Sequence, residues 1–341
     1  MTGWRMYIWI LIALMLPALN ACFQEDAMVR PHLPGDELSF ELKESMYTVQ
    51  SFFDLDGNQV VSSSPNPSWM LGFACGISQW HIIVNSSDYL GIMKTGTRDF
   101  SLAAGVETGG TEQWHFDRSD GNPDSTAIGA WVEFTAADTA YSGEVYLLGQ
   151  YDGIEYSPLW MLKFTHVDDS SYQYLYARYG QFDTVSVSVV KDSAYNFVYY
   201  QFSDSARQVM HEPPKDQWDL LFSQYGSILY TNEGVPTPYF VRGVLLNPNG
   251  VSAAIDTARD FSDITFDSLP NYSFSTDQDA IGYEWKDVEV DAGSNTAVYT
   301  VKSGNNYLIR DTNGFYYKLR FVSFYNELGE KGFPVFEFLR L

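Results

Sequence analysis

Apolar and polar residues alternate with a period of two in several places along the chain. Val185, Val187 and Val189 alternate with Ser186 and Ser188, and Tyr317, Leu319 and Phe321 alternate with Lys318 and Arg320. The chain ends on Val335-Phe-Glu-Phe-Leu-Arg-Leu341. Period-two runs bounded by Gly, Asn, Asp and Pro predict half-buried strands. Asp56-Gly57 and Asn313-Gly314 supply the turn chemistry of hairpins. No long helix is predicted after residue 45.

A repeat lies over this pattern. Phe53, Gln59, Val60, Pro65, Trp69, Leu71 and Phe73 recur as Phe202, Gln208, Val209, Pro214, Trp218, Leu220 and Phe222, each pair 149 positions apart. Both copies then reach an asparagine, Asn85 and Asn232, where the offset slips to 147. A second block follows in the same order. Tyr146-Leu-Leu, Gly153 and Leu162-Lys-Phe164 correspond to Tyr307-Leu-Ile, Gly314 and Leu319-Arg-Phe321. The prediction is all-β, with two similar sandwich-like domains in tandem, residues 46–187 and 188–341. Trp69, Phe73, Trp218 and Phe222 are all expected to be buried.

Composition agrees. The 341 residues suit two domains, and the aromatic share of 16%, with 24 Tyr and 23 Phe, suits strands. The formal net charge of −23 repels phosphate backbones, so nucleic-acid binding is not expected, nor is a polybasic attachment to anionic lipid.

The N-terminus has its own logic. Arg5 is the only charge before the apolar run Tyr7–Leu16, which is short for a membrane span. Leu19-Asn20-Ala21-Cys22 then resembles a bacterial lipobox. The reading is a signal peptide over 1–21, lipidation of Cys22, and a lipid-anchored polar tether over 22–45. The anchor would hold the protein at the outer membrane. The acidic Phe23-Gln24-Glu25-Asp26 resembles a signal for export to the cell surface. A cleaved signal with an incidental cysteine is the alternative. With Cys22 acylated, Cys75 has no disulfide partner, and its apolar surroundings predict an inert buried thiol.

The second repeat resembles the HmuY family of haem-binding bacterial lipoproteins. Tyr199-Tyr200-x-Phe202, Lys215-Asp-Gln-Trp218-Asp219-Leu-Leu-Phe222, Tyr230-Thr-Asn232-Glu-Gly234 and Tyr317-Lys-Leu-Arg-Phe321 carry the likeness. The first repeat is a degenerate version, with Met70 where the second has Asp219. The resemblance implies an all-β fold, a lipid anchor, and haem or porphyrin capture for uptake through a TonB-dependent outer-membrane receptor.

The haem ligands depart from the family pattern, which places a His after a W-x-E-F stretch. Here Trp131-Val-Glu-Phe134 is followed by Thr135-Ala136, and residues 212–341 contain no His, Met or Cys. By elimination, His81 and His115 become the candidate axial pair, with Trp80 and Trp114 flanking the macrocycle. Met93 and His166 are alternatives, and His211 reads as an exposed loop residue. The competing reading is a duplicated surface ligand-binding or adhesion lipoprotein that has lost its haem ligands. No catalytic motif or metal-binding cluster is evident, and no enzymatic activity is expected. Asp54-x-Asp56-Gly57-Asn58 lacks calcium-loop spacing and reads as a hairpin turn.

Overall fold

The computed structural model describes residues 35–341, apart from 136–137, 231–235 and 292–295. The signal peptide, Cys22 and Asn232 lie outside the described residues. Gly35–Leu341 forms one compact unit. None of its described helices is long and apolar enough to cross a membrane.

Among the described residues, twenty-three strands carry the fold. The first half contributes β1 (Leu38–Glu41), β2 (Val49–Asp54), β3 (Gln59–Pro65), β4 (Leu71–Ala74), β5 (Ile82–Val84) and β6 (Leu90–Lys94). It continues with β7 (Trp114–His115), β8 (Val132–Phe134), β9 (Thr139–Tyr141), β10 (Tyr146–Tyr151), β11 (Tyr156–Val167), β12 (Ser171–Arg178) and β13 (Val185–Val190). The second half opens with β14 (Phe197–Phe202), β15 (Ala206–Val209), β16 (Leu220–Tyr230), β17 (Pro236–Leu246) and β18 (Ser252–Asp256). It closes with β19 (Lys286–Asp291), β20 (Thr296–Val301), β21 (Asn306–Arg310), β22 (Tyr316–Tyr325) and β23 (Lys331–Arg340).

Nineteen of these strands build two sandwiches, and β8–β9 and β19–β20 form separate two-stranded sheets. In the first, a six-stranded sheet (β13-β12-β11-β10-β6-β7) faces a four-stranded one (β15-β14-β4-β5). In the second, a five-stranded sheet (β1-β23-β22-β21-β18) faces a four-stranded one (β17-β16-β2-β3). The period-two faces meet in between, as alternation requires. Phe73 stacks on Tyr174 with ring centroids 5.4 Å apart in the first core, and Phe222 on Phe336 at 5.2 Å in the second. Fully burying each such ring contributes about 1.5–3 kcal/mol.

The expected boundary at 187/188 does not separate the sandwiches. Each takes the opening hairpin of the other repeat. Hairpin β2–β3 pairs with β16, setting Phe53 opposite Leu220 and Ser51 opposite Phe222. Hairpin β14–β15 pairs with β4, setting Tyr200 opposite Leu71 and Val198 opposite Phe73. Val198, Tyr200 and Phe202 are thus core residues of the first sandwich, and Phe53 and Leu55 of the second.

The far end of the expected tether is also structured, because β1 pairs with β23 and Leu42 is buried. The Asp56-Gly57 turn closes the β2–β3 hairpin as expected. At the other predicted turn, between β21 and β22, Gly314 adopts a φ of 84°, a region that favours glycine. Cys75 is buried, and burial pushes its thiol up to about 11. Of the four expected core aromatics, Phe73, Trp218 and Phe222 are buried, whereas Trp69 is only partly covered.

Candidate functional site

Strand β7 is two residues long, and its pleat separates their fates. Trp114 turns inward. Its indole lies on the Tyr156 ring at 4.8 Å, nearly parallel, and closes over Gly149, where a Cβ would fall 2.6 Å from the indole. His115, the next residue, is therefore thrown outward and is exposed.

The segment after His115 is pinned by a buried carboxyl. Asp117 accepts hydrogen bonds from the amide nitrogens of Val84 (2.5 Å) and Ala127 (2.6 Å). Burial raises its pKa to about 7. These bonds hold residues 116–127 against the sandwich and leave an open cleft of about 470 Å³. His115, Phe116 and Trp114 line it together with two cations, Lys94 from the end of β6 and Arg118. Sequence reasoning passed over both cations. Arg118 lies within three residues of His115 and was a readable signal, but Lys94 reaches the cleft only because β6 pairs with β7.

The structure does not bring the other candidates to this cleft. His81 lines a separate cavity of about 290 Å³ with Gln79, Asp120, Tyr195 and Lys215. It is 9% exposed, and burial lowers its pKa to about 4, so the imidazole is neutral near pH 7. The expected clamp of one haem between His81 and His115 is thus not assembled in this arrangement. Of the flanking indoles, Trp114 belongs to one core cluster, while Trp80 is partly buried against the main core of the first sandwich. Met93 is buried in the same core cluster as Trp114 and does not line the cleft. His166 has both ring nitrogens engaged, Nδ1 with the Tyr141 hydroxyl at 3.1 Å and Nε2 with Asp168 at 3.2 Å.

His211 corrects a further expectation, because it is buried rather than exposed. Its Nδ1 lies 3.1 Å from Gln50 Nε2 and 3.1 Å from Ser68 Oγ, residues contributed by the first repeat. The rings of Phe52, Trp69 and Tyr199 surround it, and burial lowers its pKa to about 3. The neighbouring Glu212 accepts from the amides of Asn196 (2.7 Å) and Phe197 (2.9 Å). These polar groups fasten the exchanged hairpins together. Among the described residues, no group of three or more His, Cys, Asp or Glu is placed to hold a metal ion.

Comparison with known proteins agrees with the resemblance read from the second repeat. Residues 193–338 match the family model described as HmuY protein. Among solved structures, the chain is similar to apo PinO from Porphyromonas gingivitis. The identity is 10%, over 90% of this chain and 98% of that one, with a TM-score of 0.27. It is also similar to the apo HmuY analog of Tannerella forsythia. There the identity is 9%, over 92% of this chain and 98% of that one, with a TM-score of 0.23. No curated protein matches the sequence.

Proposed function

We propose that the protein is a non-enzymatic carrier of haem or a related porphyrin, seated in the cleft at His115. One observation carries this reading: an exposed imidazole shares a cleft with two cations and an aromatic wall. Imidazole is a common ligand of haem iron, Lys94 and Arg118 can pair with the propionates, and Phe116 offers apolar surface to the macrocycle. The HmuY match over 193–338 supports the same cargo. That segment contains one imidazole, the buried His211. On this reading the matched half supplies scaffold and the first half supplies the ligand, since sites are grafted onto folds.

An absorbance titration of the purified protein with haem tests this. A Soret shift is expected for wild type and for His81→Ala, and its loss for His115→Ala. A full shift in His115→Ala places the ligand elsewhere. No shift in wild type rejects haem and leaves the second reading, a duplicated ligand-binding or adhesion lipoprotein without haem ligands. The separation of His81 from His115 and the missing His after Phe134 favour that second reading.

The lipobox ending at Cys22 extends the proposal to an outer-membrane lipoprotein that hands its cargo to a TonB-dependent receptor. Labelling with a palmitate analogue checks the anchor. Cys22→Ala is expected to lose the label, and equal labelling of mutant and wild type rejects the lipobox.

A further inference from the structure

Strand β13 is the last strand of the six-stranded sheet, and β12 is its one neighbour. The amide of Lys191 donates to the Ser170 carbonyl at 2.8 Å, continuing the β12–β13 register by one position. Antiparallel ladders alternate, so Val189, Val187 and Val185 also turn their backbone groups toward β12. The N–H and C=O of Ser186, Ser188 and Val190 then point away from the sheet. Among the described residues, no other strand pairs with that side.

Edges of this kind are usually blunted by charge, proline, a bulge or a covering segment. None of the first three is present in β13. Its sequence is Val-Ser-Val-Ser-Val-Val, it pairs with β12 without a register shift, and Val185 and Val190 are 48% and 70% exposed.

The edge is self-complementary. A two-fold axis through Val187 sets Ser186 opposite Ser188 and Val185 opposite Val189 of a second copy. The same operation sets Lys191 opposite Asp183. Like side chains meet from 185 to 189, Thr184 falls opposite Val190, and opposite charges face each other at both ends, where Lys191 Nζ also donates to the Gln79 carbonyl of its own chain at 2.6 Å. The outward-facing Ser186 and Ser188 become a hydrogen-bonding pair. In a chain of net charge −23, this is an uncharged edge with compensating charges at its flanks.

We propose that β13 is a self-association edge: two copies pair antiparallel through residues 183–191 about an axis at Val187, joining two six-stranded sheets into one. This is β-strand addition with the protein as its own partner.

Sedimentation velocity on the purified chain tests it. A concentration-dependent monomer–dimer equilibrium is expected up to about 100 µM, the range of a modest interface. Ser188→Pro removes an outward N–H without breaking the β12 ladder and should abolish the dimer. Asp183→Lys faces Lys191 with a like charge and should weaken the dimer about fivefold. Should Ser188→Pro fail to fold, Ser188→Lys serves as the edge-blocking variant with the same expected loss. A wild type that stays monomeric, or a folded edge variant that dimerises as wild type does, overturns the proposal.

Discussion

Asp219 Oδ2 accepts a hydrogen bond from the backbone amide of Leu55 at 2.9 Å, tying the Trp-Asp motif of the second repeat to the opening hairpin of the first. Its other oxygen accepts from the amide of Thr312 at 3.2 Å, in the turn after β21. One buried carboxyl therefore joins three distant pieces of chain. The first repeat has Met70 at the matching position and lacks this joint.

Replacing that carboxyl strands two amides. We expect Asp219→Ala to cost about 3 kcal/mol, since each unsatisfied buried donor costs about 1–3 kcal/mol. Urea denaturation reads this as a lower midpoint with an unchanged slope. A loss below about 0.5 kcal/mol, the range of an ordinary surface substitution, would mean that the joint contributes little.

Truncation probes the exchange of hairpins. A chain ending at residue 187 keeps the whole first repeat but loses Val198, Tyr200 and Phe202 from its core and leaves one side of β4 unpaired. It is expected to be unfolded or aggregated. Far-UV circular dichroism and a thermal melt check this, and a cooperative melt near that of the intact protein would contradict it.

Acidity should stabilise the fold. Burial raises Asp117, Glu212 and Asp219 to about 7, and Asp88 and Asp311 to about 6. In an unfolded chain such groups titrate near about 4, so over the interval between, the folded state holds more protons and the unfolding free energy falls as pH rises. His81 and His211, lowered to about 4 and about 3, oppose this below about 6.5, where the unfolded chain takes up the extra protons. Five carboxyls outweigh two imidazoles. The melting temperature is therefore expected to be higher at about pH 5 than at about pH 7.5. A flat or rising profile would contradict this balance.

Local pattern made the strands legible. The alternation at 185–189 became β13, and that at 317–321 became the buried face of β22. The repeat made the two cores legible as well, because Phe73 and Phe222 each sit at the centre of one. The exchange was not legible. Two hairpins with the same apolar spacing fit either repeat's next strand, and only three-dimensional packing selects. His211 was misread for a related reason. Its neighbours Glu212-Pro213-Pro214 suggest a surface loop, while its burial comes from Gln50, Ser64 and Ser68, far away in sequence. At the His115 cleft, sequence offered the imidazole, whereas the cations that give it a chemical character arrive through strand pairing.

The reciprocal hairpins also govern the order in which this molecule can assemble. About 125 residues of chain separate Phe73 from Val198, its partner across β4 and β14, a long-range pairing of the kind that slows folding. At synthesis speeds of about 5–20 residues per second, β4 waits about 6–25 s for its mate. The second sandwich in turn draws on β2, made near the start. The first sandwich has all its strands once residue 209 is made, whereas β2 and β3 must wait for β16–β23, so the first is expected to form before the second.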